Sequence, residues 1–195
     1  MMKRFFEQFA RPTGFLGKIA GKVLEKSNQE LNEWTISLLN IQKEDVILEI
    51  GFGPGVAIEE AAKLAVKGMV YGIDYSKVMI KQATRRNKKT IDEGRVKLIY
   101  GNASDLPSWI ERLDKVYCVN VIMFWDSPID VLKNIRGRMN NGAIIAVTVQ
   151  PRDEKVKKIC TEIDDYLKKA GFSGIRTEKR DIRSIPAVCV IGVNE

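Results

Sequence analysis

The feature that most constrains this chain is an apolar run that leads directly into three closely spaced glycines. Val46–Ile50 has the composition of a buried strand, and Gly51, Gly53 and Gly55 follow it before a helix-like pattern begins. Glycine tolerates positive φ and has no side chain to keep a ligand away. Because backbone N–H groups at a helix N-terminus favour polar ligands, this turn predicts a nucleotide-type site at the end of the strand.

The glycine spacing separates three kinds of nucleotide site. A dinucleotide fingerprint is G-x-G-x-x-G, and here Val56 stands where its third glycine belongs. A Walker loop requires a Lys-Ser or Lys-Thr pair directly after its last glycine, and Val56 and Ala57 follow Gly55 instead. Pro54 has no N–H to offer a pyrophosphate, and it stiffens the turn. The loop therefore favours a ligand without phosphates, while a glycine turn that binds nothing stays open as the alternative.

Polar residues also follow the next two predicted strands, Met69–Asp74 and Val96–Tyr100. Asp74 can accept hydrogen bonds from ribose hydroxyls, or it can cap the following helix. Since Ser76 can do that capping, we expect the ribose role for Asp74. After the later strand, Asn102 offers an amide carbonyl to an adenine amino group. That loop is also compatible with a turn that contacts no ligand.

A fourth predicted strand, Lys115–Asn120, ends in a polar residue that an aromatic cluster follows. Most of this segment reads as core. Asn120, Phe124 and Trp125 stand at or beyond its end and are the candidates for a site.

These segments together resemble the class I S-adenosylmethionine-dependent methyltransferases, over roughly Ile41 to Val193. The glycine loop is similar to the family's first motif, (V/I)LE(I/V)GxGxG, and 101–107 is similar to its G-D-A-x-x-L-P segment. The resemblance implies S-adenosylmethionine as cofactor and methyl transfer as activity. Asn102 replaces the family's acid, which makes the implied adenine contact neutral, and Asp105 is a possible substitute. The implied cofactor-binding residues are Glu49, Gly51, Gly53, Gly55, Asp74, Tyr75, Asn102, Ala103 and Asn120.

Alternating periods predict an α/β fold with a doubly wound, mostly parallel sheet. A fifth strand is expected at Ala143–Val149. Two strand-like runs, Ser173–Asp181 and Pro186–Val193, have no helix between them, which predicts an antiparallel hairpin. The family's seven-stranded pattern ends in the same way. The predicted helices are Gly55–Val66, Lys77–Ile91, Pro128–Met139 and Asp153–Ala170, with Gly142 and Gly171 just past two helix ends. Residues 1–40 are expected to form a helical lid segment, and 41–195 the cofactor-binding domain.

The composition limits the chemistry. The chain has 195 residues, a net charge of +7 and no histidine, so any general base must be Asp, Glu, Tyr or Lys. We expect no catalytic side chain, because proximity can dominate a displacement with a good leaving group. Three widely spaced cysteines predict buried thiols without a metal site, and hence a cytoplasmic location.

The acceptor is inferred mainly from what is missing. The segment after the fourth strand is not (D/N)PP(Y/F), and a chain of 195 residues leaves little room for a target-recognition domain. A small molecule or a lipid is therefore favoured, with Trp34, Phe124 and Trp125 as expected walls of its pocket. The basic, Phe-rich N-terminus is compatible with contact to an anionic membrane. The cations of Lys77–Lys89 read as a solvated face. Three alternatives stay open: a non-catalytic S-adenosylmethionine-binding module, an RNA methyltransferase and an NAD-dependent oxidoreductase.

Overall fold

The computed structural model describes residues 28–151 and 156–195. Seven strands form one sheet in the order β3-β2-β1-β4-β5-β7-β6. The strands are β1 (Val46–Ile50), β2 (Met69–Asp74), β3 (Val96–Tyr100), β4 (Leu113–Val119), β5 (Met139–Val149), β6 (Ser173–Ile182) and β7 (Ile185–Val193). Strands β1 to β5 run parallel, and β7 pairs antiparallel with both β5 and β6. The predicted α/β architecture and its C-terminal antiparallel hairpin are confirmed.

Helices cover both faces of the sheet. Among the described residues they are α1 (28–38), α2 (Val56–Leu64), α3 (Lys77–Arg86), α4 (Lys88–Asp92), α5 (Pro128–Arg136) and α6 (Val156–Ala170). Side chains alternate along the strands, as the pleat requires. Ile47 packs in the core beneath α1, α2 and α3, whereas Leu48 packs in the core beneath α5 and α6. The sheet is therefore buried on both sides, which explains the continuous apolar runs of its parallel strands.

Two local features differ from the sequence predictions. The helix predicted over Lys77–Ile91 breaks at Asn87, which ends α3 and whose side chain donates to Ala83 O at 3.0 Å. Gly142 follows no helix end, because α5 stops at Arg136 and Gly142 lies inside β5 with φ of 79°. The pairing of β4 with β5 shifts register at this point. Gly142 therefore provides the positive φ at an irregularity of the strand and does not end a helix.

The lid predicted for residues 1–40 falls largely on residues 1–27, which lie outside the described residues, as do 152–155. The described helix α1 packs on the sheet through Leu31, Trp34 and Ile36, each less than a tenth exposed. None of the helices in the described part of the chain combines the length and the apolar character that a membrane span requires.

Candidate cofactor and acceptor site

A crevice of about 500 Å³ opens at the carboxyl ends of four neighbouring strands. β1 lies between β2 and β4 in the sheet, so the crevice lies where the chain changes direction across the sheet, the usual ligand position in such folds. Its walls come from the ends of β1 to β3 and from the loops after β2, β3 and β4. The lining residues are Ile50, Gly51, Ile73, Asp74, Tyr75, Tyr100, Gly101, Asn102, Ala103, Val121, Phe124, Trp125 and Asp126.

All three glycines of the loop after β1 have positive φ: 72° at Gly51, 51° at Gly53 and 80° at Gly55. A Cβ at Gly51 would lie 2.5 Å from Val121 Cγ2, and one at Gly55 would lie 2.6 Å from Ala83 Cβ. A Cβ at Gly53 would meet nothing within 4 Å. Two glycines are therefore needed for packing as well as for backbone conformation, while Gly53 faces open space.

The loop is held by side chains from the next βα unit. Asp74 Oδ2 accepts from the Gly53 N–H at 2.9 Å. Asn87 Nδ2 donates to Gly55 O at 3.0 Å, and Arg86 Nε donates to Pro54 O at 3.2 Å. These three bonds fix the loop against β2 and the C-terminal end of α3.

Asp74 is only 7% exposed, and burial raises the pKa of its carboxyl to about 6. Hydrogen bonds from the backbone N–H groups of Ser76 and Gly53 oppose that rise. Asp74 Oδ1 accepts from Ser76 N at 2.8 Å, and Ser76 Oγ accepts from Met79 N at 3.4 Å. Ser76 is thus the residue that caps α3. Each Asp74 oxygen accepts one backbone bond and keeps capacity for another, because a carboxylate oxygen has two lone pairs.

Glu49 lies beneath the crevice and is not one of its lining residues. It is 3% exposed, and its Oε2 accepts from the Tyr117 hydroxyl at 2.9 Å. Burial raises the pKa of Glu49 to about 8, the charge of Asp74 adds to the rise, and the bond from Tyr117 opposes it. At neutral pH the side chain is therefore largely protonated, and it joins β1 to β4 next to the glycine loop.

The loop after β3 places Asn102 and Ala103 on the crevice wall. Asn102 Oδ1 accepts from the Ser104 N–H at 3.2 Å, so this amide closes its own turn. Asp105 does not line the crevice. Its N–H donates to Asn102 O at 3.0 Å, which tightens the same turn.

Asn120 has a φ of 55° and lies just past the end of β4. Its N–H donates to Thr148 O, and its Oδ1 accepts from Gln150 N, both at 2.8 Å. Gln150 Nε2 in turn donates to Ile182 O and Ile185 O at the tip of the hairpin. Asn120 does not line the crevice and instead links the ends of β4, β5 and the hairpin.

The three residues predicted to form the acceptor pocket lie in two different places. Phe124 and Trp125 line the crevice, with Phe124 47% exposed. Trp34 is 7% exposed and packs in the core with α2 and the face of the sheet beneath it. It is not one of the residues that line the crevice.

Comparison with known proteins identifies the family. A model of the methyltransferase domain matches residues 47–142. The uncharacterized methyltransferase YdaC of Bacillus subtilis is 35% identical over 176 residues, which cover 88% of this chain and 95% of YdaC. This chain belongs to the class I S-adenosylmethionine-dependent methyltransferases. Its cofactor is S-adenosylmethionine.

Solved structures share the methyltransferase fold. An S-adenosylmethionine-dependent methyltransferase from Aquifex aeolicus aligns with a TM-score of 0.73 at 18% identity, over 89% of this chain and 96% of its own. Phosphoethanolamine N-methyltransferase 2 of Haemonchus contortus, in complex with phosphomonomethylethanolamine and S-adenosylhomocysteine, aligns with a TM-score of 0.73 at 15% identity. That match covers 90% of this chain and 57% of the Haemonchus contortus chain.

The chemistry of the methyltransferase crevice fits this cofactor. Among the described residues that line it, the charged side chains are Asp74 and Asp126, and none is Lys or Arg. A pyrophosphate would meet two carboxylates and no cation, whereas a sulfonium and an ammonium group would meet favourable charge. Tyr75, Tyr100, Phe124 and Trp125 add aromatic faces, which also attract cations.

The methyltransferase crevice also contains residues that sequence reasoning did not select. Tyr100, Val121 and Asp126 line it although none was a candidate. Tyr100 is the last residue of β3, and Val121 comes soon after β4. Their position at a strand end is the sequence signal that could have identified them as crevice residues. Asp126 lies beyond a 3₁₀ turn at Ile122–Phe124, and sequence alone gives no sign of that turn.

Proposed function

We propose that this methyltransferase transfers a methyl group to a small molecule or a lipid. The observation that carries the proposal is the half-exposed ring of Phe124, which lines the crevice beside Trp125. An apolar wall next to a few polar groups is typical of a small-molecule site. A lipid acceptor would also be compatible with peripheral contact between the basic N-terminus and an anionic membrane.

The cofactor-binding roles follow from the strand-end positions. We assign the ribose to Asp74, whose two oxygens keep lone pairs after accepting from the backbone. Tyr75, Ala103 and Asn102 provide the neighbouring wall for the base. The glycine loop provides the approach for the amino-acid end. Glu49 and Asn120 act indirectly in this scheme, because their bonds order the loop region and the end of β4.

Binding and alignment are the main contributions of this chain to the reaction. Bound S-adenosylmethionine supplies a methyl on a sulfonium, a good leaving group for in-line displacement. Residues of the crevice hold donor and acceptor close together and exclude water. The chain has no histidine, so we expect the acceptor to be intrinsically nucleophilic or to arrive deprotonated.

The first experiment is a calorimetric titration with S-adenosylhomocysteine, followed by a labelled-methyl screen of amines, phenols, lipid vesicles and RNA. We expect turnover with a compound of one of the first three groups. Phe124→Ala should then raise the KM for that acceptor by about two- to tenfold, since an aromatic contact is worth roughly 0.5–1.5 kcal/mol. Leu64→Ala is the matched control, because Leu64 is 46% exposed and lies outside the crevice. An unchanged acceptor KM in Phe124→Ala would contradict the proposed wall.

RNA is the second candidate acceptor, and one surface of the protein favours it. Lys77, Lys81 and Arg85 are exposed and spaced four apart on α3, so they form a basic stripe. Lys77 also lies 5.4 Å from the centre of the Tyr100 ring at the crevice. If RNA is the acceptor, Lys81→Gln and Arg85→Gln should each weaken RNA binding severalfold and reduce its salt dependence.

The remaining alternatives predict different outcomes in the same experiments. A non-catalytic module would bind S-adenosylhomocysteine and transfer label to none of the acceptor classes. An NAD-dependent oxidoreductase would bind NADH in preference. Membership of the family argues against this alternative, and so does the absence of Lys and Arg among the described residues that line the crevice.

A further inference from the structure

Of the two charged residues in the described lining of the crevice, Asp74 and Asp126, the proposed function gives no role to Asp126. It lines the same crevice as Asn102 and Ala103, which bound the base in the proposed scheme. Its side chain has no hydrogen-bond or ion-pair partner among residues 28–151 and 156–195. The other crevice carboxylate, Asp74, already accepts two backbone bonds. Asp126 is therefore available for a ligand.

The backbone around Asp126 is ordered on both sides. Before it, Trp125 N donates to Ile122 O at 3.2 Å, and the Trp125 side chain packs against the core beneath α5 and α6. After it, Ser127 is the N-cap of α5, Pro128 follows at the first turn, and Val131 N donates to Ser127 O at 3.1 Å. Because the turn and the helix fix its two neighbours, Asp126 is presented to the crevice from a defined position.

The loop after β3, where the family's pattern has an acid, offers no carboxylate to the crevice. Asn102 stands at that position, and its carbonyl oxygen already accepts from Ser104 N. Asp105, the nearby acid, is exposed and does not line the crevice. Among the described lining residues, the crevice thus has an amide after β3 and a carboxylate after β4.

We propose that Asp126 accepts a hydrogen bond from the adenine amino group of the cofactor and so selects a 6-amino purine. This inference rests on the cofactor-binding scheme proposed above and gives the base contact to a residue beyond the family's usual position. An ionised carboxylate only accepts hydrogen bonds, so it favours an amino group and repels a 6-oxo group. An amide in the same place can accept a hydrogen bond from an amino group and can donate one to a 6-oxo group. It therefore discriminates poorly between the two bases.

The test compares the binding of S-adenosylhomocysteine and S-inosylhomocysteine by calorimetry, without any acceptor. These compounds differ at the base, where a 6-oxo group replaces the amino group and the neighbouring N1 carries a hydrogen. The unaltered chain should bind the adenosine compound at least about tenfold more tightly, as a charge-assisted hydrogen bond implies. In Asp126→Asn and in Asp126→Ala the preference should fall to about threefold or less.

Asp105→Asn is the matched control, since it removes an equal charge nearby but outside the crevice, and it should keep the original preference. Melting temperatures of all variants without ligand check that the fold is intact. The proposal is overturned if Asp126→Asn and Asp126→Ala keep the original ratio, or if the unaltered chain has no preference. Tight adenosine-selective binding without turnover on any acceptor would support this inference and contradict the proposed function, so the two failures are distinguishable.

Discussion

The hydroxyl of Tyr117 donates a 2.9 Å hydrogen bond to Glu49 Oε2 in the interior of the sheet, next to the cofactor loop. Both side chains are almost completely buried, and the two residues are direct register partners on β1 and β4. Burying a carboxyl group without a cation favours its neutral form. The pair therefore acts as a neutral link between β1 and β4, the two adjacent strands at which the strand order of the sheet reverses.

This link makes stability depend on pH. The pKa of Glu49 rises from 4.5 to about 8 on folding, so below 4.5 the group is protonated in both states and costs nothing. As pH rises towards 8 the unfolded chain ionises first, and stability should fall by up to about 1.4 kcal/mol per pH unit. The raised pKa of Asp74 also makes stability fall as pH rises. Because that pKa is about 6, its contribution to the pH dependence is confined to lower pH.

Glu49→Gln should accordingly flatten the stability profile between pH 6 and pH 8, because glutamine can accept the Tyr117 bond and does not titrate. Chemical denaturation across this range measures the slope for both chains. Equal slopes in the two chains would contradict a buried neutral Glu49.

Asp74→Ala should lower both cofactor affinity and stability. Stability is affected because Asp74 also accepts from the N–H groups of Gly53 and Ser76. We expect S-adenosylhomocysteine to bind at least about tenfold more weakly and the free energy of unfolding to fall by about 1–3 kcal/mol. Calorimetry and urea denaturation measure the two effects. Ser76→Ala is the control: it loses the cap of α3 but keeps the carboxylate, so its affinity should stay close to the original.

Gly53→Ala and Gly55→Ala should differ in their effect on folding. Both positions have positive φ, which costs an alanine about 1–2 kcal/mol. At Gly55 the new Cβ would also overlap Ala83 and Asn87, which should add about 1–3 kcal/mol. Gly53 has open space around it, so its variant should stay folded. Thermal unfolding of both variants tests this order, and a less stable Gly53→Ala would contradict the packing described here.

Trp34→Ala should behave as a core substitution. The ring is 7% exposed and packs in the core, so its removal should cost about 3–5 kcal/mol. At a temperature where the variant is still folded, S-adenosylhomocysteine should bind within about threefold of its original affinity. Phe124→Ala is the opposite case. Because the Phe124 ring is half exposed, its removal should lower the free energy of unfolding by about 0.5 kcal/mol or less. A Trp34→Ala protein of normal stability with a selective loss of acceptor binding would restore the acceptor role that the sequence predicts.

The sequence predicts most of the fold because its patterns are local. β1, β2 and β3 have the predicted bounds, and the absence of a helix between the last two strands correctly indicates their antiparallel pairing. The position of a polar residue at a strand end likewise predicts that Asp74 and Asn102 share one crevice. These inferences need only the period of the side chains and the rule that parallel strands end at one edge.

Features that depend on tertiary contacts are not predictable in this way. The helical stripe of α1 shows an apolar face, but it does not tell whether Trp34 contacts the core or the crevice. The break at Asn87 depends on a bond to Gly55, which lies far away in sequence. The approach of Asp126 to the crevice depends on a 3₁₀ turn that has no distinctive composition. Each of these outcomes is set by the neighbours that surround the residue after folding.

The bonds from Arg86 and Asn87 to the carbonyls of Pro54 and Gly55 have a consequence for how the donor is received. The loop to which we assign its amino-acid end is held in place by the protein's own side chains. Little conformational freedom then remains to be lost there on association, so binding energy can go into selecting the right molecule. The same anchoring connects this loop to the basic helix α3, so an anionic partner that displaces this helix would alter donor affinity from outside the crevice.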